Sequence, residues 1–326
     1  MEFLILKYKS ILWACLLLTT IFIGCQKDII LDIPGYEEKL VVDGRIETGL
    51  PPFILLTTNR NIFEENSLDS LFGSYISDAV ITISDGINFD TLQTVCSSDI
   101  PTGYEELGAY VFGIPSFYLK KFKFCAYSTL NPLFFGRENT NYTITIHYKG
   151  KKYSANTSIP TSIPLDTVYW KPEKSTPNFG FAYAKLSDPA AIGDSYFWEV
   201  LRIKTGNNQN ADTRFYRPRN PVFDDNFFNG KKFNFWFENP RTSFDKSLPE
   251  NEKGLYKRND TVVIKFSTIN STAYKYFSNK YAQINSGGSP FSSPINVPSN
   301  ISNGALGIFS GFATSYQILI CNDSLF

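Results

Sequence analysis

One histidine, one methionine and a formal net charge of zero are the scarcities that bound this 326-residue chain. Any Ser-His-Asp arrangement would have to use His147, which stands in the alternating run Tyr142–Tyr148 (YTITIHY) with Thr143, Thr145 and Lys149 as neighbours. That alternation makes His147 an exposed strand residue, so a histidine-based protease or esterase has little to build on. The 31 basic and 31 acidic side chains cancel, which leaves no electrostatic case for nucleic acid or an anionic membrane. The five cysteines show neither CxxC nor Cys/His spacing, so no metal site and no cofactor is expected. Carboxylates that meet only in the fold carry no sequence signature, and no pair is marked out here. Long apolar runs are missing too, with one exception at the start of the chain.

That exception, Ile11–Gly24 (ILWACLLLTTIFIG), follows Lys7 and Lys9, is too short to span a bilayer comfortably, and ends at Cys25. The arrangement is that of a bacterial lipoprotein signal peptide: residues 1–24 are removed and Cys25 carries the acyl chains. Each buried methylene contributes about 0.8 kcal/mol, so stable anchoring takes more than one chain. Phe22 stands where Leu is more usual, and an ordinary secretory signal or an uncleaved membrane anchor is the alternative. Gln26, Lys27 and Asp28 resemble the short export signal that sends Bacteroidetes lipoproteins to the outer face of the outer membrane, although Ile29 replaces a further acid. An outer-membrane anchor facing the cell exterior is the expectation, and a periplasm-facing one the alternative. Cys15 leaves with the signal, so Cys96, Cys125 and Cys321 remain, an odd count that permits at most one internal disulfide. Cys96 and Cys125, both in the first half, are the expected pair.

Aromatic residues make up 16% of the chain, and Thr, Ile, Val and Tyr are plentiful, which points to a mainly β body. Residues 25–37 read as a tether. Lys39–Gly44, Phe53–Thr57 and Ala79–Ser84 read as strands, the last closing on the tight turn Asp85-Gly86. Tyr142–Tyr148 and Tyr153–Ile159 flank Lys149-Gly150 as a hairpin, with Tyr142, Ile144, Ile146 and Tyr148 on one face. Residues 38–160 are therefore expected to form an Ig-like β-sandwich domain. Two X-Pro steps, Ile159-Pro160 and Ile163-Pro164, suit an extended connector. Residues 165–326 are expected to be a second β-rich domain with one or two short helices. Its strands are placed at Asp166–Trp170, Tyr196–Lys204, Lys232–Glu238 and Thr261–Phe266. Its helix is capped by Ser271 and carries Ala273, Phe277, Tyr281 and Ile284 at helical spacing. Ser286–Asn300, rich in Gly, Ser and Pro, reads as a long loop of the kind often used in binding.

Three patterns are candidates for function. In Lys232–Glu238 (KFNFWFE), period-two alternation puts Phe233, Phe235 and Phe237 on one face and Asn234, Trp236 and Glu238 on the other. A large ring between polar neighbours is a contact candidate, and a second layer packed over Trp236 is the alternative. Asp224-Asp225-Asn226 with Asn229-Gly230 offers oxygen ligands of a calcium loop, but Phe227 and Trp236 fall at positions 3 and 12 from Asp225, which misses the EF-hand pattern. A solvated turn is the expectation there. Five Asp-Ser/Thr-aliphatic triplets, such as Asp90-Thr91-Leu92 and Asp260-Thr261-Val262, resemble an O-glycosylation acceptor and equally suit the start of a strand after a turn.

Ile29–Pro34 followed by Lys39–Gly44, then Ser77–Gly86, then Ser299–Phe309 together resemble the Bacteroidetes lipoprotein family catalogued as domain of unknown function 4249. The resemblance supplies no catalytic residues. It implies an envelope lipoprotein, often encoded beside a TonB-dependent outer-membrane receptor, that serves as a non-catalytic accessory to capture of an unknown nutrient ligand. A surface glycan or peptide hydrolase, or an envelope structural or adhesion protein, is the alternative.

Overall fold

The hairpin around Lys149-Gly150 carries its sequence pattern directly into the structure. Tyr142, Ile144 and Ile146 are buried and His147 is exposed, while Lys149 and Gly150 take φ of 47° and 72°, the two positive values of a two-residue turn that matches strand twist. The computed structural model describes residues 37–60, 67–206, 211–286 and 295–322.

The first half lays down β1 (Leu40–Glu47), β2 (Phe53–Thr58), α1 (Leu68–Gly73), β3 (Val80–Ser84), β4 (Phe89–Thr91) and β5 (Gln93–Cys96). It continues with α2 (Glu105–Phe112), α3 (Ser116–Lys121), β6 (Cys125–Ser128), β7 (Thr140–Tyr148) and β8 (Lys151–Ile159). The second half adds β9 (Thr167–Glu173), β10 (Thr176–Ser187), β11 (Ser195–Lys204), β12 (Val222–Asp224), β13 (Lys232–Phe237) and β14 (Tyr256–Lys257). It closes with β15 (Thr261–Ile269), α4 (Ser271–Ser286) and β16 (Leu306–Ile320). The protein is mainly β, as its composition indicates.

An eight-stranded sheet, ordered β12-β11-β15-β16-β1-β2-β6-β5, serves as a shared wall. Against its β1, β2 and β16 lies the sheet β4-β3-β7-β8, and the core between them holds Val42, Ile46, Ile54 and Phe309 facing Ile81, Ile83, Ile144 and Ile146. Against β11, β15 and β16 lies a second four-stranded sheet, in which β10 pairs with β9, β13 and β14. In that core β10 contributes small residues, Ala182 and Ala184, where β9 and β11 contribute Trp170 and Trp198.

The connector at residues 160–165 falls between β8 and β9, but the eight-stranded sheet runs across the expected domain division. β16 is responsible: Leu306–Phe312 pairs in parallel with β1, and Phe312–Ile320 pairs antiparallel with β15. The described strands accordingly belong to one compact unit. Gly307 permits the close approach to β1, because it has φ of 99° and an added Cβ would fall 1.9 Å from the Val42 carbonyl oxygen.

Helices cover the other face of the large sheet. In the second half, α4 packs Ala273 and Phe277 against Phe197, Ile308 and Phe312. Its cap is Asn270 rather than the expected Ser271: the Asn270 Oδ1 accepts from the Ala273 NH at 2.9 Å. Ile284, expected on the apolar face, is 59% exposed and lies outside the cluster that Ala273, Phe277 and Tyr281 join. Helices α1, α2 and α3, which no sequence pattern announced, lie in the first half and pack Phe72, Phe112 and Leu119 on Phe124 and Ala126.

Candidate functional site

Period-two alternation fixes the chemistry of the outer face of the β9-β10-β13-β14 sheet. Phe233, Phe235 and Phe237 of β13 pack inward on the core, so Asn234 and Trp236 point out. Among the described residues no second layer lies over Trp236, which is 49% exposed. Its cross-strand neighbour is Tyr183, and its ring leans on Phe181 with centroids 4.3 Å apart and planes at 49°. Tyr183 in turn stacks on Tyr169 of β9 at 5.3 Å and 14°. The pairs Trp236–Phe181 and Tyr183–Tyr169 thus lie side by side as an aromatic row across three strands.

Cations border the row. The Lys171 ammonium lies 5.8 Å from the Tyr183 ring centre, Lys257 lies 5.8 Å from that of Phe179, and Lys185 is exposed opposite Asn234. Glu238, placed with Trp236 by the sequence pattern, follows β13 and is half-buried. β13 is the edge strand of this sheet, pairing only with β10 among the described strands. The surface can therefore offer flat aromatic contact, ammonium donors and the Asn234 amide to a partner.

The helix-covered face of the large sheet holds a second polar feature. Lys265 of β15 sits 2.7 Å from Glu47 of β1 and 3.2 Å from Glu199 of β11, all three side chains being at most 4% exposed. Arg45 pairs with Glu47 at 2.5 Å, and Arg217 pairs with Glu199 at 2.9 Å, both guanidiniums reaching partly into solvent. Burial opposes ionisation of Glu199, but Lys265, Arg217 and Arg45 outweigh it and hold its carboxyl down at about 2. Glu47 is likewise lowered against the penalty of burial, by Lys265 and Arg45. Neither carboxyl has the raised pKa of a general acid, so the cluster is a charge network that ties three strands together rather than an acid-base pair.

The other sequence candidates fall as follows. His147 is exposed on β7 between Val80 and Lys152. Cys96 and Cys125 are disulfide-bonded, and Cys321 is free and buried. Asp225, expected in a solvated turn, is 1% exposed, because β10, β11 and β12 end around it and the Gly193 and Asp194 NH groups donate to its carboxylate at 2.8 and 3.1 Å. Asp90 lies within β4 and accepts from the Thr129 hydroxyl at 2.6 Å, whereas Asp260 serves the turn before its threonine, accepting from the Gly206 and Lys257 NH groups at 2.7 and 2.9 Å. Cys25, Gln26, Lys27, Asp28 and the tether up to residue 36 lie outside the described residues, as do residues 287–294 of the Ser286–Asn300 loop. Among the described residues no helix is long and apolar enough to cross a membrane.

No curated protein and no solved structure matches the chain. One family model does, over residues 26–318, and its description is Domain of unknown function (DUF4249).

Proposed function

The chain belongs to the DUF4249 family, and from that premise we propose that it is an outer-membrane surface lipoprotein acting as a non-catalytic docking accessory of a TonB-dependent nutrient transporter. Its Cys25 carries the lipid, and Gln26, Lys27 and Asp28 direct the anchored protein to the cell exterior. The observation that carries the docking role is the exposed Trp236 on edge strand β13, beside the half-buried rings of Phe181, Tyr183 and Tyr169 on the same sheet face. Aromatic rings that stay partly wet on a rigid sheet lose little conformational entropy on contact.

The mechanism is one of effective concentration. A module held by acyl chains stays within reach of a barrel in the same membrane, so weak intrinsic affinity is enough to keep the two together. Isolation of the tagged lipoprotein from detergent-solubilised outer membranes tests the proposal. A transporter barrel is expected to co-isolate, and its reproducible absence contradicts the docking role.

A further inference from the structure

Three acidic residues from separate stretches of chain meet at one end of the second sandwich. Asp188 follows β10, Asp194 precedes β11 and Asp225 follows β12, and one carboxylate oxygen of each lies within 4.8 Å of the others. Asp188 and Asp225 are 7% and 1% exposed. Asp188 accepts from the Tyr196 hydroxyl through Oδ1 and from the Gly230 NH at 2.9 Å through Oδ2. Both NH donors to Asp225, from Gly193 and Asp194, reach its Oδ2. Among the described residues the ion pairs formed by Lys and Arg lie elsewhere.

A second observation points to a ligand. The Asp225 Oδ1 is buried and accepts no hydrogen bond. The side-chain oxygen of Asn229 is in the same condition, while its amide nitrogen is committed to the Ala190 carbonyl at 3.3 Å. Bare buried oxygens are costly, and native structures leave few of them without a partner.

We propose that Asp188, Asp194, Asp225 and the side-chain oxygen of Asn229 bind one calcium ion. The donor set is all oxygen, with neither His nor Cys, which selects a hard cation. Ligands held at about 2.4 Å from one ion lie up to about 4.8 Å apart, so the carboxylates can close on calcium with shifts of about half an ångström or less. Magnesium, with shorter bonds and a strict octahedron, fits less well among ligands from three loop segments. The ion ties the Asp188–Asp194 connector to the turn before β13, where the Asp188 NH already donates to the Lys231 carbonyl at 3.0 Å. The site escapes an EF-hand search because two of its carboxylates come from more than 30 positions upstream of Asp225.

Thermal melting of the full chain in detergent, after stripping with EDTA, tests the site alongside terbium luminescence. Calcium at roughly a hundredfold excess over its Kd is expected to raise Tm by about 5 °C. Terbium is expected to give luminescence sensitised by Tyr196 and quenched when calcium displaces it. Asp194→Asn is expected to weaken terbium binding at least tenfold while leaving the calcium-free Tm unchanged or higher, because it removes one of three crowded charges. The proposal is overturned by an equal Tm rise with magnesium, by no calcium effect on the wild type, or by terbium binding that survives both Asp194→Asn and Asp225→Asn.

Discussion

Lys265 and Glu47, 218 positions apart in the chain, form a buried ion pair although β16 lies between their strands. The same ammonium reaches Glu199, so one cation holds two carboxylates beneath the helices. Removing one partner of such a group strands the others in a poorly solvated place, which costs far more than an exposed pair is worth. Lys265→Met is expected to lower unfolding free energy by about 3–5 kcal/mol in urea denaturation. A loss below about 1 kcal/mol would mean that the network is solvated.

The network also sets an acid limit. Glu199 is lowered from 4.5 to about 2 and Glu47 is lowered as well, so both carboxyls bind protons more weakly in the folded state than in the unfolded one. Their contribution is therefore fully present above the unfolded value and disappears as pH falls through the folded value. Stability is expected to decline between pH 4.5 and about 2, and Glu199→Gln is expected to flatten that decline. An identical slope in wild type and variant, read by denaturant melts across the range, would remove Glu199 from this role.

Much of the architecture was legible wherever one residue's neighbours along the chain decide its environment. The faces of β7 follow from the alternation of Tyr142, Ile144 and Ile146 with Thr143 and His147, and the outward aim of Trp236 follows from Phe233, Phe235 and Phe237 in the same way. Pairing between distant segments was not legible. Nothing in Leu306–Ile320 says that its first part joins β1 in parallel and its second part joins β15, and this double use merges the two expected domains along one sheet. Helices α1 and α3, of six residues each, are too short to show a period, and their apolar residues are selected by Phe124 and Ala126 beneath them. The aromatic row was half legible: Trp236 stood out, but Phe181, Tyr183 and Tyr169 became its neighbours only through the β9-β10-β13 register.

The Cys96–Cys125 disulfide joins β5 to β6 and encloses α2 and α3 in its loop. Closing a loop with a sequence separation of 29 restricts the unfolded chain, an effect of about 2–4 kcal/mol. The Cys96→Ser, Cys125→Ser double variant is expected to unfold at lower denaturant by that amount, with the amides of α2 and α3 exchanging faster than those of β7 and β8. Unchanged exchange in the helices would show that their packing on Phe124 is sufficient alone.

Trp236 separates docking from folding, because the residue is already half-exposed and little burial is lost with its ring. Trp236→Ala is expected to reduce unfolding free energy by about 1 kcal/mol or less, measured by urea denaturation. A loss of several kcal/mol would make the ring part of the core and the row a structural device.

The most direct measurement is quantitative co-isolation of the outer-membrane partner by wild-type protein, Trp236→Ala, and the double variant Trp236→Ala, Phe181→Ala, all lipidated and present at equal amounts. A docking surface built on the aromatic row predicts recovery of a transporter barrel with the wild type, a reduction of at least tenfold for Trp236→Ala, and none for the double variant. Equal recovery in all three would contradict the role given to this surface.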